Sequence, residues 1–184
     1  MTYFYCDFKD AKKQDVRYLL SSLLAQLSAK SDACYEMLAA LYSKYDAGLR
    51  QPNKDALTEC LENILKMGGQ PPIYLIIDAV DECPITTSDV VSPRDRVLEL
   101  MEKLVALHLP NLRICVTSRP EADIRASLES LVSHSISLHD QSGQKDDIAS
   151  YVRFVVHSDR NMRKWRPEDK KLVIETLSRR AEGM

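Results

Sequence analysis

The stretch IYLIIDAVDE, Ile73 to Glu82, decides how this chain folds. Five apolar residues, Ile73 to Ile77, follow the breakers Gly68, Gly69, Pro71 and Pro72 and are closed by Asp78. A short apolar run bounded in this way reads as a buried strand. A polar loop is expected from Asp81 to Ser92.

Upstream, Tyr3 to Phe8 (YFYCDF) reads as another strand, aromatic and apolar on nearly both faces. Between the two strands, Val16, Leu19, Leu20, Leu23, Leu24 and Leu27 recur at helical spacing behind the cap Asp15. This leucine-rich stripe suits sheet cover better than a docking site for a partner helix. A second helix carries Met37, Leu38, Leu41, Tyr42 and Tyr45, and a third, entered through Pro52 and Asn53, carries Leu57, Cys60, Leu61 and Ile64.

Downstream, Ser92-Pro93-Arg94-Asp95 has the form of a capped helix start with proline in the first turn. Pro110 stops that helix, and Leu112 to Thr117 (LRICVT) reads as a strand. Pro120 and Glu121 open a short helix, and His134 to Leu138 (HSISL) alternates enough for a last strand. Beyond Gly143 the pattern is helical only, which divides the chain into 1–142 and a helical start of a second part, 143–184. Strands alternating with helices imply a parallel sheet, and such uniformly apolar strands imply helices on both faces. The expected class is a three-layer, doubly wound α/β fold.

Composition narrows the function classes. The 184 residues are 45% apolar and 28% charged with a formal net charge of −2, so nothing electrostatic advertises nucleic acid or an anionic membrane as partner. No apolar run is long enough to span a bilayer. The five cysteines are widely spaced and contain no C-x-x-C pair, which points to buried thiols in a cytoplasmic setting rather than a disulfide framework or zinc ribbon. His134, His139 and His157 lack metal-site spacing, and no G-x-S-x-G elbow is present. Trp165 among Arg160, Arg163, Lys164 and Arg166 reads as a solvated inter-helix segment in preference to a base-stacking patch.

Two strand ends carry the candidate chemistry. Ligands of parallel sheets bind beyond the carboxyl ends of the strands, where Asp78 falls. One carboxylate there suits magnesium, which takes oxygen ligands and keeps several waters. Asp81 and Glu82 follow at a distance fit for orienting or deprotonating an attacking water. The alternative is that Asp78 caps a helix and the acidic pair lies in a solvated loop. At the second strand end, Thr117 and Ser118 could donate to a phosphate, and Arg119 could match its oxygens bidentately. The alternative there is a strand end whose Ser118 caps the next helix.

These stretches together, with YFYCDF, PPIYLIIDAVDECP, LPNLRICVTSRPEADI and HSISLHDQSGQKDDIASYV, resemble the NACHT-type P-loop NTPases of the STAND signalling class. The likeness is to the nephrocystin-like branch abundant in fungi, and it extends over essentially the whole chain. It implies a magnesium-binding Walker B acid at Asp78, the acidic pair that follows it at Asp81 and Glu82 as the catalytic acids, and the sensor arginine at Arg119, which joins Thr117 and Ser118 of the strand-end reading as the expected cofactor contacts. Magnesium with ATP or ADP, an effector protein, and the option of oligomerisation come with it.

The departure is that no glycine lies in a G-x-x-x-x-G-K-[ST] pattern; the five are Gly48, Gly68, Gly69, Gly143 and Gly183. Backbone amides of that loop supply most of the phosphate grip. The chain is therefore expected to be a fragment, with the phosphate loop and its strand upstream and a repeat region downstream, and to bind or turn over no nucleotide alone. In the family that strand lies between the last strand and the one ending at Arg119, and its loss leaves an open slot. His134 to Leu138 could close against Leu112 to Thr117, or another chain could fill the gap. A degenerate scaffold with the same fold is the competing function.

Overall fold

In the computed structural model, residues 1–85, 91–137 and 142–180 are described, without the side chains of 142–145 and 180. The chain divides into two compact units, Met1–Val132 and Ser133–Met184.

The first unit contains β1 (Thr2–Tyr5), α1 (Val16–Ser28), α2 (Asp32–Lys44), α3 (Lys54–Leu65), β2 (Ile73–Asp78), α4 (Pro93–Ala106), β3 (Leu112–Val116) and α5 (Ala122–Leu128). The strands form one parallel sheet in the order β1-β2-β3, with Thr2 opposite Leu75, Tyr5 opposite Asp78, Ile73 opposite Leu112 and Ile77 opposite Val116. The α/β class is as expected. So are the helix starts: the carboxylate of Asp15 accepts from the Arg17 N–H, and the side chain of Asn53 accepts from the Ala56 N–H at 2.9 Å. Ser92 and Asp95 close a reciprocal capping box. Each such cap satisfies an amide that the first helical turn leaves unpaired.

The second face of the sheet corrects the expectation of helices on both. Phe4, Leu75 and Ile77 are buried in one core with Leu19, Leu20, Leu23 and Leu24 of α1, Leu61 and Ile64 of α3, and Met101 and Leu104 of α4. Their neighbours Tyr3, Tyr5, Tyr74, Arg113 and Cys115 are exposed. The topology gives the reason. Both crossovers advance in the same direction across the sheet, and right-handed crossovers without a reversal put all connecting helices on one side. The tyrosines, with an apolar ring and a polar tip, tolerate the open face.

His134–Ser137 are in no strand, against expectation, and Leu138 lies outside the described residues. Ile136, the one large apolar residue in that span, is exposed, so no buried face rewards pairing. Among the described residues β3 pairs with β2 alone. The second unit contains α6 (Ser142–Ser158) and α7 (Pro167–Arg180), packed on each other. Val156 is buried there, whereas Tyr151, Phe154, Leu172 and Leu177 are exposed.

Candidate functional site

The carboxyl ends of β2 and β3 are joined through one threonine. The Thr117 N–H donates to the Ile77 carbonyl at 3.0 Å, and the Val80 N–H donates to the Thr117 carbonyl at 3.1 Å. The Thr117 hydroxyl uses both of its capacities, donating to the Asp78 carboxylate and accepting from the Ala79 N–H at 3.0 Å. Ala79 has φ of +57°, a left-handed conformation that costs a residue with a Cβ. That kink turns the chain out of β2 into the helical turn Val80–Glu82.

The turn directs its two acids to different strand ends. Asp81 accepts from the Arg119 N–H at 3.0 Å, and the Arg119 Nε lies 3.5 Å from its other oxygen. The Asp81 side chain is 9% exposed and that of Arg119 is 78% exposed. Glu82 accepts from the Phe8 N–H at 3.0 Å, just past the end of β1. Asp78, Thr117, Asp81 and Arg119 thus meet on one rim, while Glu82 ties that rim to β1. The side chain of Ser118 has no partner among the described residues, and it does not cap α5, which begins after Glu121.

Sequence reasoning missed Arg94. Its side chain is 5% exposed and runs beneath the turn. Nε donates to the Cys83 carbonyl at 2.9 Å, and Nη2 donates to the Asp81 carbonyl. Nη1 donates to Glu121 at 2.9 Å and Asp123 at 3.0 Å. One guanidinium therefore holds the segment after β2 against the segment after β3. Burial works against its charge, but the bonds to Glu121 and Asp123 prevail and raise its pKa. Asp123 mirrors this: desolvation opposes ionisation, yet the Arg94 hydrogen bond holds its carboxyl below the ordinary value of 3.8. A signal was present, since a cation in the first turn of a helix opposes the macrodipole and calls for an acidic partner.

Cys6 and Cys83 lie beside the same turn, both buried. The influence of Cys83 and burial push the Cys6 thiol up strongly. The influence of Cys6 draws Cys83 down against burial, with Arg94 assisting.

Chemically, the rim offers a carboxylate with open lone pairs at Asp78, a hydroxyl and a solvent-facing guanidinium. Among the described residues no three histidine, cysteine or acidic side chains converge on a metal position. No described helix is long and apolar enough to cross a membrane.

Fold and rim define a parallel α/β domain whose candidate site lies at successive strand ends. Residues 1–119 match the family model described as nephrocystin 3, N-terminal, and the chain belongs to that family. The match runs from β1 through Arg119 and so includes all six candidate residues. No curated protein and no solved structure matches the chain.

Proposed function

We propose that this chain is part of a nucleotide-dependent switch of the NACHT and STAND type, cytoplasmic, whose phosphate loop is supplied from outside the present sequence. The observation that carries the reading is the rim itself. Asp78 with Thr117, and Asp81 with Arg119, are paired across two adjacent parallel strand ends, where this class of sheet binds ligands.

Magnesium with ATP or ADP is the cofactor set that the reading requires. A single oxygen donor at Asp78 fits magnesium, which uses one or two carboxylates with water and phosphates, better than it fits zinc. Once bound, the ion would offset phosphate charge. Thr117 would orient the Asp78 carboxylate through its hydroxyl. Arg119, exposed and held at its stem by Asp81, is free to swing its guanidinium toward a terminal phosphate while its backbone stays fixed. Glu82 would hold the end of β1 in register with the rim. In the intact switch, exchange of ADP for ATP would shift a two-state arrangement and release an effector.

A second reading, a non-catalytic scaffold, is favoured by one observation: Asp81 and Glu82 both spend their carboxylates on backbone N–H groups. Calorimetric titration separates the two. The chain alone should bind magnesium-ADP more weakly than about 1 mM, near the bottom of the useful affinity range. The reading frame extended upstream should bind it at micromolar levels, with Asp78→Asn weakening it at least tenfold. Nucleotide affinity in the extended chain that ignores both Asp78→Asn and Arg119→Ala refutes the switch; none in either chain favours the scaffold.

A further inference from the structure

Among the described residues β1 pairs with β2 alone, which leaves its outer edge to be accounted for. Backbone groups of a strand point alternately to its two edges. The Cys6 N–H donates to the Asp78 carbonyl at 2.9 Å, so Thr2, Phe4 and Cys6 face β2 while Tyr3 and Tyr5 face outward. Both outward groups of Tyr3 are taken by one side chain. The Tyr3 N–H donates to Oε1 of Gln26 at 3.0 Å, and Nε2 of Gln26 donates to the Tyr3 carbonyl at 2.8 Å. Nε2 also donates to the Ser22 hydroxyl, one turn earlier on α1, at 3.1 Å. That third bond holds the amide at the edge in one orientation.

A side-chain amide bonded in this way offers β1 the donor and acceptor that a neighbouring strand would offer. Attachment of α1 does not call for such a strap, because Leu19, Leu20, Leu23, Leu24 and Leu27 are already buried. The sequence of the edge does call for one. Thr2 to Cys6 (TYFYC) is rich in aromatic residues and carries no charge, proline or glycine, the composition of a strand that pairs with copies of itself. We propose that the outer edge of β1 is a pairing surface for a second copy of this chain, and that Gln26 keeps it closed.

The pairing geometry follows from the alternation. With Gln26 withdrawn, two β1 strands related by a two-fold axis at Phe4 run antiparallel, and Tyr3 of each exchanges hydrogen bonds with Tyr5 of the other. The tyrosine rings then meet on the open face of the sheet, where both are exposed. An edge of four residues buries little area, so the dimer is weak and forms only as concentration rises. The proposal does not depend on nucleotide binding, and its test contains no nucleotide.

Sedimentation velocity over a concentration series compares the full chain with Gln26→Ala. The variant should form a dimer with an association constant at least about tenfold above that of the unaltered chain. Adding Tyr3→Pro deletes the outward N–H without touching the ladder to β2, and the double variant should return to the unaltered behaviour. Should Gln26→Ala not fold, Gln26→Met takes its place, keeping side-chain length and helix propensity without the hydrogen bonds. Amide exchange supplies a second measurement. In the unaltered chain the Tyr3 N–H should exchange at least about tenfold more slowly than the Tyr5 N–H, and it should lose that protection in the dilute, monomeric variant. Equal exchange of the two amides, equal association of the two chains, association that survives Tyr3→Pro, or open-ended assembly instead of a dimer overturns the proposal.

Discussion

Arg94 and Arg119 meet the same acidic turn from opposite sides. Beneath it, Arg94 is 4% exposed and donates to two backbone carbonyls and two carboxylates. Above it, Arg119 is mostly in solvent, anchored through its own N–H while its guanidinium makes one long contact with Asp81. The inner arginine fixes the geometry and the outer one remains available. The difference is one of dielectric. A charge-assisted bond shielded from water keeps much of its strength, and an exposed ion pair loses most of it to screening.

The contrast is broken most directly at its inner end. Arg94→Ala should destabilise the fold by about 3 kcal/mol, because two carbonyls lose charged donors and two carboxylates lose their cation. Arg94→Lys should recover little of this, since an ammonium cannot span four acceptors from one stem. Urea unfolding of both variants measures it. If alanine costs less than about 1 kcal/mol, the inner arginine is not the clamp described here.

The same clamp has a pH signature. The Asp123 pKa is lowered in the folded state, so its contribution is fully present above the ordinary 3.8 and is lost as pH falls through the lowered value. The unaltered chain should therefore lose stability below about pH 4, and Asp123→Asn should flatten that part of the profile. The effect should be smaller than that of Arg94→Ala, because Glu121 stays bound to the guanidinium. An acid profile identical in the two chains would remove Asp123 from the clamp.

How legible this was in the sequence depended on the range of the interaction. Asp15, Asn53 and the Ser92–Asp95 box cap their helices through contacts within three residues, and the local pattern reveals them. Asp78 and Thr117 were legible as strand ends, because the hydrophobic run stops there and parallel topology places them together. The bond from Asp81 to Arg119 spans 38 residues, and pairing of that kind emerges only after the sheet is assembled. Arg94 lies inside a cap signature, which masks its second role. The open face escaped for a different reason: tyrosines count as apolar in a strand pattern, and only the strand order reveals that both crossovers pass on the opposite side of the sheet.

At the start of the same turn lies Ala79, whose φ of +57° sharpens the comparison from the backbone side. Glycine adopts that conformation without a steric penalty, so Ala79→Gly should relieve strain of about 1 kcal/mol, part of it offset by the greater freedom of the unfolded chain. Thermal unfolding should show an unchanged or slightly raised midpoint. A clear loss would mean that the Ala79 side chain contributes packing beyond its backbone role.

The smallest effect is expected at the outer arginine, and its smallness is the point. Arg119→Ala removes a solvent-facing guanidinium but leaves the N–H that Asp81 accepts, so stability should change by less than about 0.5 kcal/mol. Arg119→Pro is the informative partner, because it deletes that N–H and leaves Asp81, 9% exposed, without its backbone donor. Stability should fall in the proline variant and hold in the alanine variant. If both fall alike, the guanidinium itself stabilises the turn, and Arg119 is then a second clamp instead of a side chain held ready for a ligand.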